Sequence, residues 1–87
     1  MDMTDNINTK LNVACGMVVL MYREIRNLTQ EELAKKAKLS RTTITNIERG
    51  HQSIPLDVLF FLAKALDIPA YKLIKQIENL ARIYNIL

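Results

Sequence analysis

An all-α protein of five helices is what this sequence predicts, on three observations. Apolar residues recur at three- and four-residue spacings through most of the chain, no stretch alternates with a strand period, and only two Gly and two Pro punctuate the 87 residues. At 49% hydrophobic and 24% charged, the composition excludes a disordered chain, a collagenous one and a loop-rich secreted scaffold. The length allows one small domain. A single core of this size supplies only a few kcal/mol, so a partner subunit would help. One cysteine cannot close an internal disulfide, which makes the cytoplasm the expected compartment.

Residues 1–9 read as a polar lead-in, and residues 10–87 as one folded unit. The first helix is expected from Lys10 to Arg26, nearly continuously apolar between Val13 and Tyr22. That run is too short to span a bilayer. It continues into Arg23, Glu24 and Arg26 rather than a small-residue cleavage site, so it reads as a buried helix and not a signal segment. Cys15, Met17 and Met21 are taken as its core filling.

Thr29-Gln-Glu-Glu32 is a capping box, each end satisfying a backbone N–H of the other. It predicts a second helix from Gln30 to about Ala37 with Leu33, Ala34 and Ala37 inward. Ser40 is a good N-cap for a third, in which Ile44 and Ile47 face the core and Gly50 stands just past the end. Pro55 lies near the start of a fourth helix, with Leu56, Leu59, Phe60, Leu62, Ala63 and Leu66 as its apolar face, and Asp67-Ile-Pro69 breaks it. A fifth helix follows from about Ala70. Its Leu73, Ile77, Leu80, Tyr84 and Leu87, spaced 4, 3, 4, 3, form a heptad-like seam expected to make a homodimer contact. Tyr71 is open between such a contact and a cap on the core.

Charge is localised. Residues 35–49 carry five basic side chains (Lys35, Lys36, Lys38, Arg41, Arg49) against the single acid Glu48, a net +4. The other 72 residues carry seven basic and eight acidic side chains, a net −1. A local basic patch points to a polyanion more strongly than the overall +3 does. Two short helices joined by a three-residue break match a helix-turn-helix, and the second one leaves Arg41, Thr42, Thr45, Asn46 and Arg49 on one outward face. Arginine fits guanine O6 and N7, and asparagine fits adenine N6 and N7, each as a bidentate pair. Threonine offers a methyl to thymine or a hydroxyl to a base or phosphate.

The run LTQEELAKKAKLSRTTITNIERG, Leu28 to Gly50, resembles the Cro/lambda-repressor-type (Xre-type) helix-turn-helix family, and LDVLFFLAKALDI, Leu56 to Ile68, resembles its fourth helix. The resemblance covers about residues 13–74. It implies a five-helix lambda-repressor-like fold and a regulator that binds double-stranded DNA as a homodimer on a palindromic site, often near its own promoter. Size and outline look most like the controller proteins of restriction–modification systems, with small phage-type repressors nearly as good a match. Carried over by position, Arg41, Thr42, Thr45 and Asn46 would touch bases. Gln30, Ser40, Thr43, Arg49, His51 and Gln52 would lie along phosphates. Arg23 and Glu48 match a family pair that forms a salt bridge between the first and third helices. Lys38 replaces the usual turn glycine and so implies a positive φ or an altered turn. Leu20 replaces an often basic residue.

Other readings stay open. The fifth helix would serve equally as the toxin-binding surface of an antitoxin that represses its own operon. A protein-interaction module would share the fold, although the basic, polar face of the third helix argues against it. Acidic residues of the second helix, Glu31 above all, offer a contact to RNA polymerase. His51 is the lone histidine and has no second ligand at metal spacing. No nucleophile–base set, carboxylate pair or phosphate-cradling loop is present, so neither catalysis nor a cofactor, a small-molecule ligand or a membrane is expected.

Overall fold

The computed structural model describes residues 3–87, in which five helices and no strand occur. They are α1 (Met3–Ile25), α2 (Gln30–Ala37), α3 (Arg41–Glu48), α4 (Leu56–Ala65) and α5 (Ala70–Ile83). Each helix stops in the same way. A residue with positive φ follows it at Asn27, Lys38, Gly50, Asp67 and Asn85. The next N–H reaches back to an open carbonyl, as Leu28 to Arg23, Leu39 to Ala34, His51 to Asn46, Ile68 to Ala63 and Ile86 to Ala81. Gly50 ends α3 as expected, with φ 73°. Lys38, where the turn lacks its glycine, does take the left-handed conformation, at φ 58°.

Two apolar clusters share α1 and α4. The first joins Val19 of α1 to Leu33, Ala34 and Ala37 of α2, Ile44 and Ile47 of α3, and Leu62 and Leu66 at the end of α4. The second joins Val18 to Leu59, Ala63, Leu73 and Ile77 and so seats α5. Leu33, Ile44, Ile47, Leu62, Leu66 and Leu73 have no exposed surface at all. Full burial of such a side chain contributes about 1.5–3 kcal/mol each before chain entropy is counted. Gly16 lets α1 approach the end of α3 closely, since a Cβ there would stand 2.2 Å from the Ile47 carbonyl oxygen.

Four expectations need correcting. The polar lead-in is not separate from the first helix, because α1 already begins at Met3 (Met1 and Asp2 lie outside the described residues). No Gly or Pro stands between Met3 and Thr9 to stop the helix, and each added residue brings one hydrogen bond. Leu56 and Phe60 do not join the core but are 67% and 56% exposed. At 100° per residue they fall roughly 70° and 110° from the centre of the stripe that Leu59, Leu62, Ala63 and Leu66 bury.

The first half of the α5 seam is spent inside the chain. Leu73 is fully buried, Ile77 is 9% exposed, and Leu80 packs on the same cluster. Leu73 and Ile77 therefore have little or no surface left for a dimer contact, whereas Leu80 keeps part of its own. Tyr84 and Leu87 do stay exposed, but α5 ends at Ile83 and both lie beyond it. Tyr71, at 70% exposure, caps nothing. Met17 and Met21 are not core filling either, at 40% and 43% exposure on the outer side of α1. Cys15, half-buried against the second cluster, fits the reading of an inert thiol, and burial pushes its pKa up.

Candidate nucleic-acid interface

Local hydrogen bonds set the α2–α3 unit. The Thr29 hydroxyl accepts from the Glu32 N–H at 3.0 Å, and the Thr29 N–H donates to Glu32 Oε1 at 2.9 Å, which completes the capping box. The backbone bond from Thr29, then the hydroxyl bond, holds the Glu32 carboxyl below the usual carboxylate range. Ser40 caps α3, its Oγ accepting from the Thr43 N–H at 3.0 Å and lying 2.9 Å from Thr43 Oγ1. Ile44 and Ile47 anchor the inner side of α3 in the first cluster.

Behind α3 runs a chain of side-chain bonds. Arg23 grips Glu48 with two donors, Nε to Oε2 at 2.6 Å and Nη2 to Oε1 at 3.0 Å, and sends Nη1 to the Leu28 carbonyl at 2.9 Å. This ion pair is nearly enclosed, with side-chain exposures of 13% for Arg23 and 4% for Glu48. The Glu48 hydrogen bond raises the Arg23 pKa further, against the pull of desolvation. The family-derived expectation of a structural bridge between the first and third helices agrees with this geometry.

The chain continues outward. Gln30 Nε2 donates to Glu48 Oε1 at 2.9 Å, and Gln30 Oε1 accepts from the Thr45 hydroxyl at 3.1 Å. Because a carboxylate only accepts, the amide has one orientation available. The Thr45 hydroxyl is also 3.0 Å from the Arg41 carbonyl oxygen, so both of its neighbours are acceptors. Its single proton is committed whichever neighbour takes it. Thr45 therefore faces outward as an acceptor and a methyl, not as a donor. Gln30, expected only along a phosphate, is drawn inward at both ends of its amide, which leaves one N–H for an outside partner.

The remaining positions differ. Among the described residues, the side chains of Arg41, Thr42, Asn46, Arg49, His51 and Gln52 make no hydrogen bond or ion pair. Arg41, Thr42, Arg49 and His51 are exposed, and Asn46 and Gln52 are half-buried. The structure thus brings Arg41, Thr42, Thr45 and Asn46 together on the outer side of α3, with Arg49, His51 and Gln52 following its end. Among the described residues no group of His, Cys, Asp and Glu is placed to hold a metal ion, and no helix is long and apolar enough to cross a membrane. Sequence reading missed the Thr45–Gln30–Glu48 link, for which residue types alone give no signal. It also missed Arg26, which donates to the carbonyls of Leu66 at 2.8 Å and Asp67 at 3.2 Å and ties α1 to the end of α4.

Residues 19–73, most of the chain and all of α2, α3 and α4, match the helix-turn-helix family. The chain is a helix-turn-helix protein of the Xre type. Control protein C.SmaI of Serratia marcescens is 45% identical over 56 residues, covering 64% of this chain and 67% of that protein. The restriction-modification controller protein C.AhdI of Aeromonas hydrophila, a solved structure, is 34% identical with a TM-score of 0.69, over 71% of this chain and 94% of that one. The clp gene regulator ClgR of Corynebacterium glutamicum superposes with a TM-score of 0.81 over 86% of this chain and 80% of that one, and at 20% identity it speaks for the fold alone. The chain spans about two thirds of the length of the curated relatives it matches, from 62% to 67% among the controller proteins. Relatives of this helix-turn-helix chain thus include controller proteins of restriction–modification systems.

Proposed function

We propose that this helix-turn-helix protein is a sequence-specific DNA-binding regulator of transcription, of the restriction–modification controller type, that acts in the cytoplasm as a homodimer on a palindromic site. The observation that carries the reading is the outer face of α3, where the side chains of Arg41, Thr42 and Asn46 have no partner among the described residues although the rest of the helix is anchored by Ile44, Ile47 and the Glu48 network. Polar side chains held at a rigid surface with unused donors and acceptors are what base-edge reading needs.

In this reading α3 enters the major groove. Arg41 and Asn46 make bidentate contacts to guanine and adenine, Thr42 meets a neighbouring base, and Thr45 accepts from a base amino group while its methyl touches thymine. Ser40, Thr43, Arg49, His51, Gln52 and the free N–H of Gln30 lie along phosphates and fix the register. Two-fold symmetry sets the half-sites about 34 Å apart, one helical turn. Exposed Glu31 on α2 is the contact to RNA polymerase when the regulator activates. The protein binds and does not catalyse, and needs no cofactor.

Fluorescence anisotropy against DNA from just upstream of the protein's own gene, beside a scrambled duplex at two salt concentrations, tests this. Tight binding to the upstream DNA with a steep salt dependence and a wide margin over the scrambled duplex supports an autoregulator. Absence of any salt-sensitive affinity for DNA would overturn the reading in favour of a protein-interaction module.

A further inference from the structure

Five basic side chains between residues 35 and 49 make the charge patch of this sequence, yet only Arg41 and Arg49 stand on α3 or at its end. Two of the lysines at the close of α2 go elsewhere. Lys36 and Lys38 meet Lys64 of α4 around an open recess whose apolar surface comes from Ala37, Phe60, Phe61 and Ala65. Both phenylalanines of the chain are here, 56% and 48% exposed. At 100° per residue Phe61 falls roughly 150° from the centre of the stripe that α4 buries, so the core has no use for it. The three lysines make no ion pair among the described residues. The acids nearest along the two helices are engaged in local hydrogen bonds, Glu32 with the Thr29 N–H and Asp57 with the Val58 N–H at 2.8 Å.

We propose that this recess docks an acidic segment of another protein, one large apolar side chain of the segment resting on Phe61 and its flanking carboxylates on Lys36, Lys38 and Lys64. Exposed apolar surface rimmed by charge of one sign marks a protein contact, and the rim selects the opposite charge. Each half of the surface excludes another occupant. A nucleic-acid backbone would take the lysines but gain nothing from two exposed phenyl rings. A small ligand would stay largely in water in so open a recess, whereas ordinary pockets cover most of what they bind. Long lysine stems can follow carboxylates on either side of a seated anchor. The site also stands apart from the DNA face. Gln30, at the opposite end of α2, is the residue of that helix turned to Glu48 and Thr45, and Lys36 lies roughly 9 Å further along the axis. None of the residues lining the recess is among those assigned to bases or phosphates, so its occupant and DNA do not compete for a side chain.

Fluorescence anisotropy of the full chain with a labelled synthetic peptide, glutamates on both sides of a central tryptophan–leucine pair, is the test. Two control peptides carry serines in place of the apolar pair or lysines in place of the glutamates. The first peptide should bind, salt should weaken it, and neither control should match it. Lys64→Glu and Phe61→Ser should each weaken that binding about tenfold. Both side chains are exposed, so helical circular dichroism and affinity for DNA should not change. No binding of the acidic peptide, equal binding of the serine peptide, or binding that survives both substitutions would overturn the site. Weaker DNA binding with a shallower salt slope in Lys64→Glu would assign the lysines to phosphates instead. A shift in self-association of Phe61→Ser, read by sedimentation equilibrium, would assign the rings to a second copy. Either result also overturns the proposal and leaves the reading of α3 standing.

Discussion

The outer face of α3 and the outer face of α1 both carry side chains that find no partner among the described residues, yet they are built in opposite ways. On α3 the unpaired groups are polar, and a network behind them holds the helix in place: Arg23 on Glu48, Glu48 on Gln30, Gln30 on Thr45. On α1 the unpaired groups are apolar and flexible, Met17 and Met21 among them, with no such support. A surface that must discriminate between donors and acceptors needs fixed angles, because a hydrogen bond weakens steeply when misaligned. A surface that only removes apolar area from water tolerates adaptable side chains. Support, more than composition, separates the two.

The largest expected effect comes from removing that support. Glu48→Ala leaves Arg23 without its nearly enclosed partner and frees Gln30, and urea denaturation should show a loss of about 3 kcal/mol. Unchanged stability would mean that α3 is held by its apolar anchors alone. Arg41→Ala should do the reverse, with stability within about 0.5 kcal/mol of wild type and about 1–3 kcal/mol lost in discrimination at one base pair. Thr45→Val keeps the methyl and removes the acceptor, so selection of bound duplexes should lose its preference for an amino-bearing base at one position per half-site while methyl-dependent preferences stay.

Thr29→Ala should cost about 1 kcal/mol of stability through the lost cap of α2. Because the folded pKa of Glu32 is lowered, its contribution is present above the unfolded carboxyl pKa and lost as pH falls through the folded one. The penalty of Thr29→Ala should therefore shrink in acid, which thermal melts across pH 3–7 (roughly the carboxylate range and above) would show. The smallest effect is at the turn. Lys38→Gly relieves a side chain at positive φ and should stabilise by a few tenths of a kcal/mol, offset in part by the freer unfolded chain.

How legible all this was in the sequence follows from how local each cause is. The capping box at Thr29, the cap at Ser40, the C-terminal Gly50 and the inward Leu33, Ala34, Ala37, Ile44 and Ile47 are set by neighbours three or four residues away, and each is found where periodicity and capping chemistry put it. The α5 seam shows the limit of that logic. Apolar spacing of 4, 3, 4, 3 reports that one side of a helix is apolar, but not whether the core or another chain covers it. Leu73 and Ile77 went to the core, and the exposed stripe arose instead on α1, a helix apolar nearly all round, where the inner and outer faces cannot be told apart by pattern. Positions that depend on distant partners, such as Gly16 against the Ile47 carbonyl or Thr45 against Gln30, became readable only with the helices in place.

The central claim is that α3 reads bases while the positions after it hold phosphates. Titrating wild type, Arg41→Ala and Arg49→Ala against a selected palindromic duplex and a scrambled one, over a series of salt concentrations, tests it most directly. The account predicts that Arg41→Ala narrows the margin between the two duplexes, whereas Arg49→Ala weakens both alike and lowers the salt slope by about 1. Equal weakening of both duplexes by Arg41→Ala, with the margin intact, would contradict it.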